Sequence, residues 1–132
     1  MKEILIIEDD IVMQFLLRNL FKNEGYKVNS IMDGMDLTGH KYIDTADLII
    51  VDMMIPHVYN STELINIYKD HISPIIVVSS IDKDDGLYFC KKINAQHFFN
   101  KPFKSTELLK KANSLLAKNE YIMDKKKLSN EV

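Results

Sequence analysis

Two short runs of residues are apolar without interruption, and they constrain the fold more than any other feature of the sequence. The first is LIIV at residues 48–51 and the second is PIIVV at residues 74–78. A strand that is apolar on both faces is typical of a parallel sheet, because helices cover both sides of such a sheet. Longer amphipathic stretches follow each run. The pattern therefore predicts an α/β fold.

The rest of the chain continues this alternation, so we expect five strands and five helices in all. The three further strands are predicted at residues 2–7, 26–31 and 98–100. The first helix is predicted to begin at Asp9 or Asp10, where a carboxylate can cap free amides, and to end at Gly25. The other four helices are predicted at residues 35–41, 62–69, 84–93 and 106–117.

The first and second predicted helices differ in how clearly the sequence defines them. Five apolar residues are expected to form the buried stripe of the first helix: Val12, Phe15, Leu16, Leu20 and Phe21. The second helix is the least well defined, because Gly34 and Gly39 both disfavour a helix.

The composition is typical of one globular domain. The chain has 132 residues, of which 46% are hydrophobic and 27% are charged. We expect a domain at residues 1–119 and a tail or linker at residues 120–132, where the apolar pattern fades. The net charge of −2 gives no strong reason to expect nucleic acid or a membrane surface as the main partner. The single Cys90 cannot form an internal disulfide and is expected to pack in the core. A chain without an internal disulfide fits the reducing cytoplasm, so we expect a cytoplasmic protein.

Polar side chains stand where four of the predicted strands end. Glu8 and Asp9 follow the first strand, Asp52 the third, Ser79 the fourth and Lys101 the fifth. Ligands of open parallel sheets bind at this rim, because the carboxyl ends of the strands meet there. Converging carboxylates repel one another unless a cation neutralises them, and Mg²⁺ prefers oxygen ligands. The sequence therefore predicts a Mg²⁺ site at this rim.

The same residues suit the formation of an acyl phosphate on Asp52. A carboxylate can act as a nucleophile towards a phosphoryl group. Mg²⁺, the Lys101 ammonium and the Ser79 hydroxyl can then share the charge on the transferring oxygens.

Four motifs in this order resemble the receiver domain of response regulators in two-component signalling systems. They are ILIIEDD at the first strand, DLIIVDMMIP at the third, PIIVVSS at the fourth and NKPF at the fifth. The resemblance covers residues 2–118 and implies a flavodoxin-like, doubly wound (βα)5 fold with strand order 2-1-3-4-5. It implies that the domain is phosphorylated on Asp52 and then changes an interaction surface.

The resemblance also implies a role for each residue at the rim. Glu8 and Asp9 would form the acidic pair that binds Mg²⁺ together with Asp52, the phosphoacceptor, and the backbone carbonyl of Met54. Ser79 would be the switch hydroxyl. Lys101 would bind the phosphoryl group, and its peptide bond to the following proline would be cis.

Several residues at other positions of the receiver pattern are unusual. Phe98 stands at the aromatic switch position in place of tyrosine, so it can change rotamer but has no hydroxyl. Met54 and Ile81 flank the approach of water to the phosphoryl group, and neither can hydrogen-bond to a water. Asn60 and Asn94 stand where glycine is common, and asparagine is the next best residue for positive φ.

The resemblance implies partners rather than an enzymatic substrate. We expect a sensor histidine kinase or phosphotransfer protein as donor, an unknown downstream protein, and no direct contact with nucleic acid or membrane. Beyond Mg²⁺-dependent self-phosphorylation and slow autodephosphorylation, no enzymatic activity is expected. We expect a monomer or weak dimer, because Gln96 and His97 replace frequent acids while three lysines keep the basic side of a charged dimer interface: Lys110, Lys111 and Lys118.

Three other functions remain as alternatives. A phosphatase of the haloacid-dehalogenase type needs a second aspartate two residues after the nucleophile, where this chain has Met54. A nucleotide-binding module is disfavoured because neither GxGxxG nor GK[ST] occurs. A phosphorylation-independent interaction domain is supported only by Phe98 and the altered loop at residues 57–60. The four histidines lack metal-site spacing and are expected on the surface or in turns: His40, His57, His71 and His97.

Overall fold

The computed structural model describes residues 1–31, 41–51 and 73–131. Its strands are β1 (Glu3–Ile7), β2 (Lys27–Ile31), β3 (Leu48–Val51), β4 (Ile75–Ser79) and β5 (His97–Asn100). Its helices are α1 (Ile11–Lys22), α2 (Lys41–Thr45), α3 (Lys83–Ile93) and α4 (Ser105–Glu131). The helix predicted at residues 62–69 lies outside the described residues, as does most of the one predicted at 35–41.

All five strands are parallel and lie in the order β2-β1-β3-β4-β5, as the resemblance implied. The strand β1 lies between β2 and β3, and Ile7 at its end pairs with both Ile31 and Val51. From β1 the chain places β2 on one side and then β3 on the other side. Such a switch point opens a crevice at the carboxyl ends of the strands.

The core lies on both faces of the sheet, because successive strand residues point to opposite sides. On one face, Ile49 and Val77 pack with Ile43 of α2 and with Phe89 and Ile93 of α3. The other face packs against α1 and α4 through a second buried cluster that includes Ile50, Val78, Leu17, Phe21 and Leu108. This arrangement confirms the doubly wound α/β fold.

The buried stripe of α1 differs from the prediction. Three of the five residues expected to be buried are largely exposed: Val12 at 69%, Phe15 at 63% and Leu16 at 55%. Phe21 is buried as predicted, and the helix also buries Gln14 and Leu17. Apolar residues occur on all sides of this helix, so their spacing did not identify a single buried face.

The ends of the helices are partly as predicted. Asp10 caps α1 by accepting a hydrogen bond from the backbone N–H of Met13, and Gly25 turns the chain towards β2 with a φ of +91°. Asn94 ends α3 in the left-handed conformation with a φ of 59°, as its similarity to glycine predicted. The last helix was predicted to end at residue 117 but continues to Glu131.

In the parts of the chain that are described, no helix is both long and apolar enough to cross a membrane.

Candidate functional site

The carboxylate of Glu8 is buried at the end of β1, with only 2% of the residue exposed. Its backbone N–H donates to the carbonyl of Ile31, 3.1 Å away, which extends the pairing of β1 with β2 by one residue. Its Oε1 accepts a hydrogen bond from the backbone N–H of Asp10 at 3.2 Å. Its Oε2 lies 3.2 Å from the Nζ of Lys101. A buried charge needs such partners, and Glu8 has both a cation and an amide.

The ion pair between Lys101 and Glu8 crosses the rim of the sheet. Glu8 follows β1 and Lys101 follows β5, and the ends of β3 and β4 lie between them. Adjacent strands are ~4.8 Å apart, so the two backbones are separated by about 14 Å along the rim, and only two long side chains can close that distance. The bond between Lys101 and Pro102 is cis, as the resemblance implied, and the Lys101 N–H donates to the carbonyl of Ser79 at 2.8 Å.

The hydroxyl of Ser79 lies at the end of β4 in a residue with no exposed surface. Its Oγ accepts a hydrogen bond from the backbone N–H of Ile81 at 3.2 Å. The carbonyl of Ile81 in turn accepts from Nδ2 of Asn100 at 2.8 Å. Ser79 and Asn100 are paired in the β4–β5 register, so these bonds tie the loop after β4 to the end of β5.

The three consecutive acids after β1 differ in their surroundings. Glu8 is buried and paired, whereas Asp10 caps α1 through its Oδ1, 3.0 Å from the N–H of Met13. Asp9 lies between them and is exposed. The sequence left the cap open between Asp9 and Asp10, and the structure assigns it to Asp10. Of the two predicted cap residues, Asp9 is therefore the one whose carboxylate does not cap the helix.

The residues at this rim have the chemistry that Mg²⁺ requires. Glu8 and Asp9 supply two carboxylates from consecutive residues after β1, and oxygen is the ligand that Mg²⁺ prefers. Within residues 1–31, 41–51 and 73–131, no group of three or more His, Cys, Asp or Glu side chains is arranged to hold a metal ion. The other two predicted contributors, Asp52 and the carbonyl of Met54, lie outside the described residues. The residues at the end of β1 fit the ion as a partial ligand set.

The ring of Phe98 packs against α3 at Gly86. A methyl carbon placed on Gly86 would lie 2.3 Å from Cζ of Phe98 and 2.4 Å from Cε2, which is far inside normal contact. Phe98 is half-buried and packs against the cluster that contains Val77, its partner in the β4–β5 pairing. The ring at the predicted switch position therefore occupies the space that a side chain at Gly86 would fill.

Cys90 and His97 are both partly or fully buried in the fold. Cys90 is buried, and burial raises the pKa of its thiol to about 11, so it is a poor nucleophile, consistent with the predicted packing role. His97 is the first residue of β5, half-buried and with its ring centroid 4.6 Å from that of Phe99, so it lies in a strand and not in a turn, with part of the residue exposed. Burial, with a smaller effect of Lys111, lowers the pKa of His97. His40, His57 and His71 lie outside the described residues.

Two polar residues near the rim were missed by the sequence analysis. Gln14 of α1 is buried and donates through Nε2 to the backbone carbonyl of Glu8 at 3.2 Å. Asn100 holds the carbonyl of Ile81, as described above. A signal for Gln14 was present, because a polar residue stands at helical spacing with Leu17 and Phe21. The sequence indicates Asn100 only as the last residue of a strand and the first of the NKPF motif.

The chain is similar in sequence to regulatory proteins. The regulatory protein VanRB of Enterococcus faecalis is 28% identical over 117 residues, which cover 88% of this chain and 53% of the relative. The transcriptional regulatory protein CpxR of Escherichia coli is 28% identical over 128 residues, which cover 92% of this chain and 52% of the relative. The chain therefore spans about half the length of the curated relatives it matches.

Solved structures show the same fold at lower identity. A CheY-like response regulator receiver domain from Methanospirillum hungatei superposes with a TM-score of 0.75 at 21% identity, covering 92% of this chain and 98% of the other. The receiver domain of a sensor histidine kinase from Pseudomonas aeruginosa superposes with a TM-score of 0.72 at 21% identity, covering 88% of this chain and 98% of the other. That structure holds a magnesium ion in its active-site cleft.

The family assignment agrees with the strand order and with the polar groups at the rim. The response regulator receiver domain family matches residues 4–113, which is most of the chain. Members of this family act in two-component signal transduction and are generally not conventional enzymes. The chain belongs to the response regulator receiver domain family.

Proposed function

We propose that this chain is a phosphoryl-accepting switch in which Asp52 receives a phosphoryl group with the help of Mg²⁺. The donor is a sensor histidine kinase or a phosphotransfer protein that acts in the cytoplasm, and the result is a changed surface for a downstream protein. The observation that supports this most is the contact between Lys101 and the buried Glu8 across the ends of β3 and β4. It brings a cation and an acid to the rim directly beside the end of β3, which Asp52 follows in the sequence.

The transfer itself forms one bond and breaks one. An oxygen of the Asp52 carboxylate attacks the phosphorus, and the bond from phosphorus to the histidine nitrogen, or to the acetate oxygen of a small donor, breaks with its electron pair. Glu8, Asp9, Asp52 and the Met54 carbonyl would hold Mg²⁺, which would neutralise charge on the phosphoryl oxygens. The chain therefore needs residues that place the acceptor and receive the new negative charge.

Lys101 and Ser79 are the residues that receive this charge. The lysine ammonium is a point charge on a flexible stem, so it can turn from Glu8 to a phosphoryl oxygen. The Ser79 oxygen accepts the N–H of Ile81, and its own O–H remains a donor for a phosphoryl oxygen. Moving Ser79 towards the phosphoryl group would disturb its bond to Ile81, which connects the site to the loop before α3.

The exposed apolar side chains of α1 support a protein as donor. Ile11, Val12, Phe15 and Leu16 are all more than half exposed on a helix that begins directly after the acids of the rim. A donor that delivers a phosphoryl group to this rim must approach past the start of α1. These side chains offer it apolar contact area there.

The test is phosphorylation by acetyl phosphate and Mg²⁺, followed by intact mass spectrometry. We expect a mass increase of roughly 80 Da, the mass of one phosphoryl group. The increase should disappear in Asp52→Asn and without Mg²⁺. The matched control is Asp44→Asn, a change to an exposed aspartate of α2, which should still be labelled. No labelling of the native chain under conditions that label another receiver would instead support a phosphorylation-independent interaction domain.

A further inference from the structure

A buried glutamine on α1 holds the backbone at the predicted metal site. Among the described residues, the buried polar or charged side chains are Glu8, Gln14 and Ser79. Two of these belong to the rim of the sheet by their position in the strands. Gln14 does not, because it stands at the end of the first turn of α1, yet its Nε2 reaches back to the carbonyl of Glu8 at 3.2 Å.

The carbonyl that Gln14 contacts belongs to the peptide group between Glu8 and Asp9. A peptide group is planar, so a hydrogen bond to its oxygen also constrains the orientation of the Asp9 N–H and the positions of the Cα atoms of Glu8 and Asp9. The remaining polar groups of Glu8 are held from other directions, by Ile31, Asp10 and Lys101. Gln14 supplies the contact on the side of α1.

The position of Gln14 is itself well defined. Its backbone N–H donates to the carbonyl of Asp10 at 2.9 Å in the first turn of the helix. Leu17 and Phe21 continue the same buried face and are 3% and 0% exposed. A glutamine in that face loses its contact with water, so its amide must be hydrogen-bonded within the protein. The glutamine thus connects a rigid helix face to the loop that carries both acids.

We propose that Gln14 is a positioning residue for Mg²⁺ binding, which rests on the function proposed above. It orients the Glu8–Asp9 peptide, and thereby both carboxylates, before the ion arrives. Mg²⁺ demands a nearly ideal octahedral arrangement, so its affinity depends on how well its few protein ligands are placed. Residues that orient metal ligands without touching the metal change affinity by about 10–100-fold when they are replaced.

The test compares the native protein with Gln14→Met, which keeps the length of the side chain and removes the donor. Mg²⁺ affinity is measured by amide chemical shifts of residues 8–10, and thermal unfolding is measured in parallel. We expect Mg²⁺ to bind about tenfold more weakly. The chemical shifts of the Asp9 amide and the Glu8 carbonyl carbon should also change in the metal-free protein. This readout does not depend on phosphorylation.

Two further variants keep the result interpretable. Gln14→Asn retains the amide but is one carbon too short to reach the Glu8 carbonyl. It should also weaken Mg²⁺ binding, and it provides the test if Gln14→Met folds poorly. Asn19→Met makes the same kind of change at an exposed position of α1 and should leave both the affinity and the Glu8 and Asp9 signals unchanged.

The possible failures are distinguishable. If the native protein binds Mg²⁺ and the two Gln14 variants bind it as tightly, the role of Gln14 is wrong and the proposed function stands. If Asn19→Met weakens binding as much as Gln14→Met, the effect is a general one on α1, and the role is again wrong. If the native protein shows no shift at residues 8–10 with Mg²⁺, both the role of Gln14 and the proposed metal site are wrong.

Discussion

At the scale of single residues, the side chain of Ile81 bears on how long a phosphorylated state lasts. Ile81 is half-buried, and its backbone is held on both sides, by the Ser79 hydroxyl and by Asn100. Hydrolysis of an aspartyl phosphate needs a water in line with the phosphorus, opposite the aspartate oxygen. Neither Ile81 nor Met54, the other flanking residue of the receiver pattern, can hydrogen-bond to that water. They are expected to exclude it.

We therefore predict slow hydrolysis of phosphorylated Asp52, over minutes or longer. Losing one water-orienting contact worth ~1.4 kcal/mol in the transition state slows a reaction about tenfold. The measurement is the loss of phosphoprotein after the donor is removed, for the native chain and for Met54→Asn combined with Ile81→Glu. The double variant should decay about tenfold faster. An unchanged or slower decay would show that these positions do not govern the access of water.

The positions of some residues at the rim could be predicted because they are tied to strand ends. Glu8, Ser79 and Lys101 follow or end apolar runs, and the parallel sheet brings such positions to one rim. Two things could not be predicted in this way. Which atom of Glu8 meets Lys101 depends on side-chain reach across the rim, and the bond from Gln14 depends on which face of α1 is buried.

At the scale of secondary-structure elements, the packing of α3 on β5 depends on the absence of a side chain at Gly86. Glycine inside a helix is less favourable than alanine by roughly 1 kcal/mol, so Gly86 destabilises α3 taken alone. Its place in the fold is explained by Phe98, whose ring fills the space of the missing methyl group. The α3 helix and the ring of β5 are therefore coupled at one contact.

We predict that Gly86→Ala destabilises the native protein by about 1–3 kcal/mol, because the methyl group overpacks the contact with Phe98. In a Phe98→Ala background the sign should reverse, and Gly86→Ala should stabilise by roughly 0.5–1 kcal/mol through helix propensity. The measurement is the free energy of unfolding by urea for all four proteins. Equal effects of Gly86→Ala in both backgrounds would contradict the coupling.

The helices also show where prediction from the sequence is limited. The predicted boundaries of α3 lie within one residue of the observed ones, and Asp82 and Asn94 cap its two ends. The buried face of α1 was not, because Ile11, Val12, Phe15 and Leu16 are as apolar as the residues that are buried. Exposed apolar residues on a helix can be recognised only when the elements packed against it are known.

At the scale of the whole molecule, the surface formed by α3, β5 and the first turns of α4 bears on self-association. Exposed basic residues on it include Lys91, Lys92 and Lys110. Receivers that dimerise through paired charges often have acidic residues at two positions of this surface. This chain has Gln96 and His97 there. Gln96 uses its Oε1 to accept the N–H of Ile75 at 2.6 Å, and His97 is half-buried beside Phe99. Two copies meeting there would bring lysines together without matching acids at these two positions.

We predict that the protein remains a monomer, or at most a weak dimer, in the phosphorylated form. The measurement is sedimentation velocity over a series of protein concentrations, with and without Mg²⁺ and a phosphoryl analogue.

The exposed apolar residues of α1 are the other surface through which two copies could associate, so Phe15→Glu is the matched control. The native protein and Phe15→Glu should sediment alike if the protein is a monomer, because Phe15 then contacts no second copy. A tight dimer whose affinity falls with added salt would contradict the prediction for α3 and β5, since screening weakens contacts between exposed charges. A tight dimer that Phe15→Glu abolishes would show that α1 is the surface of self-association.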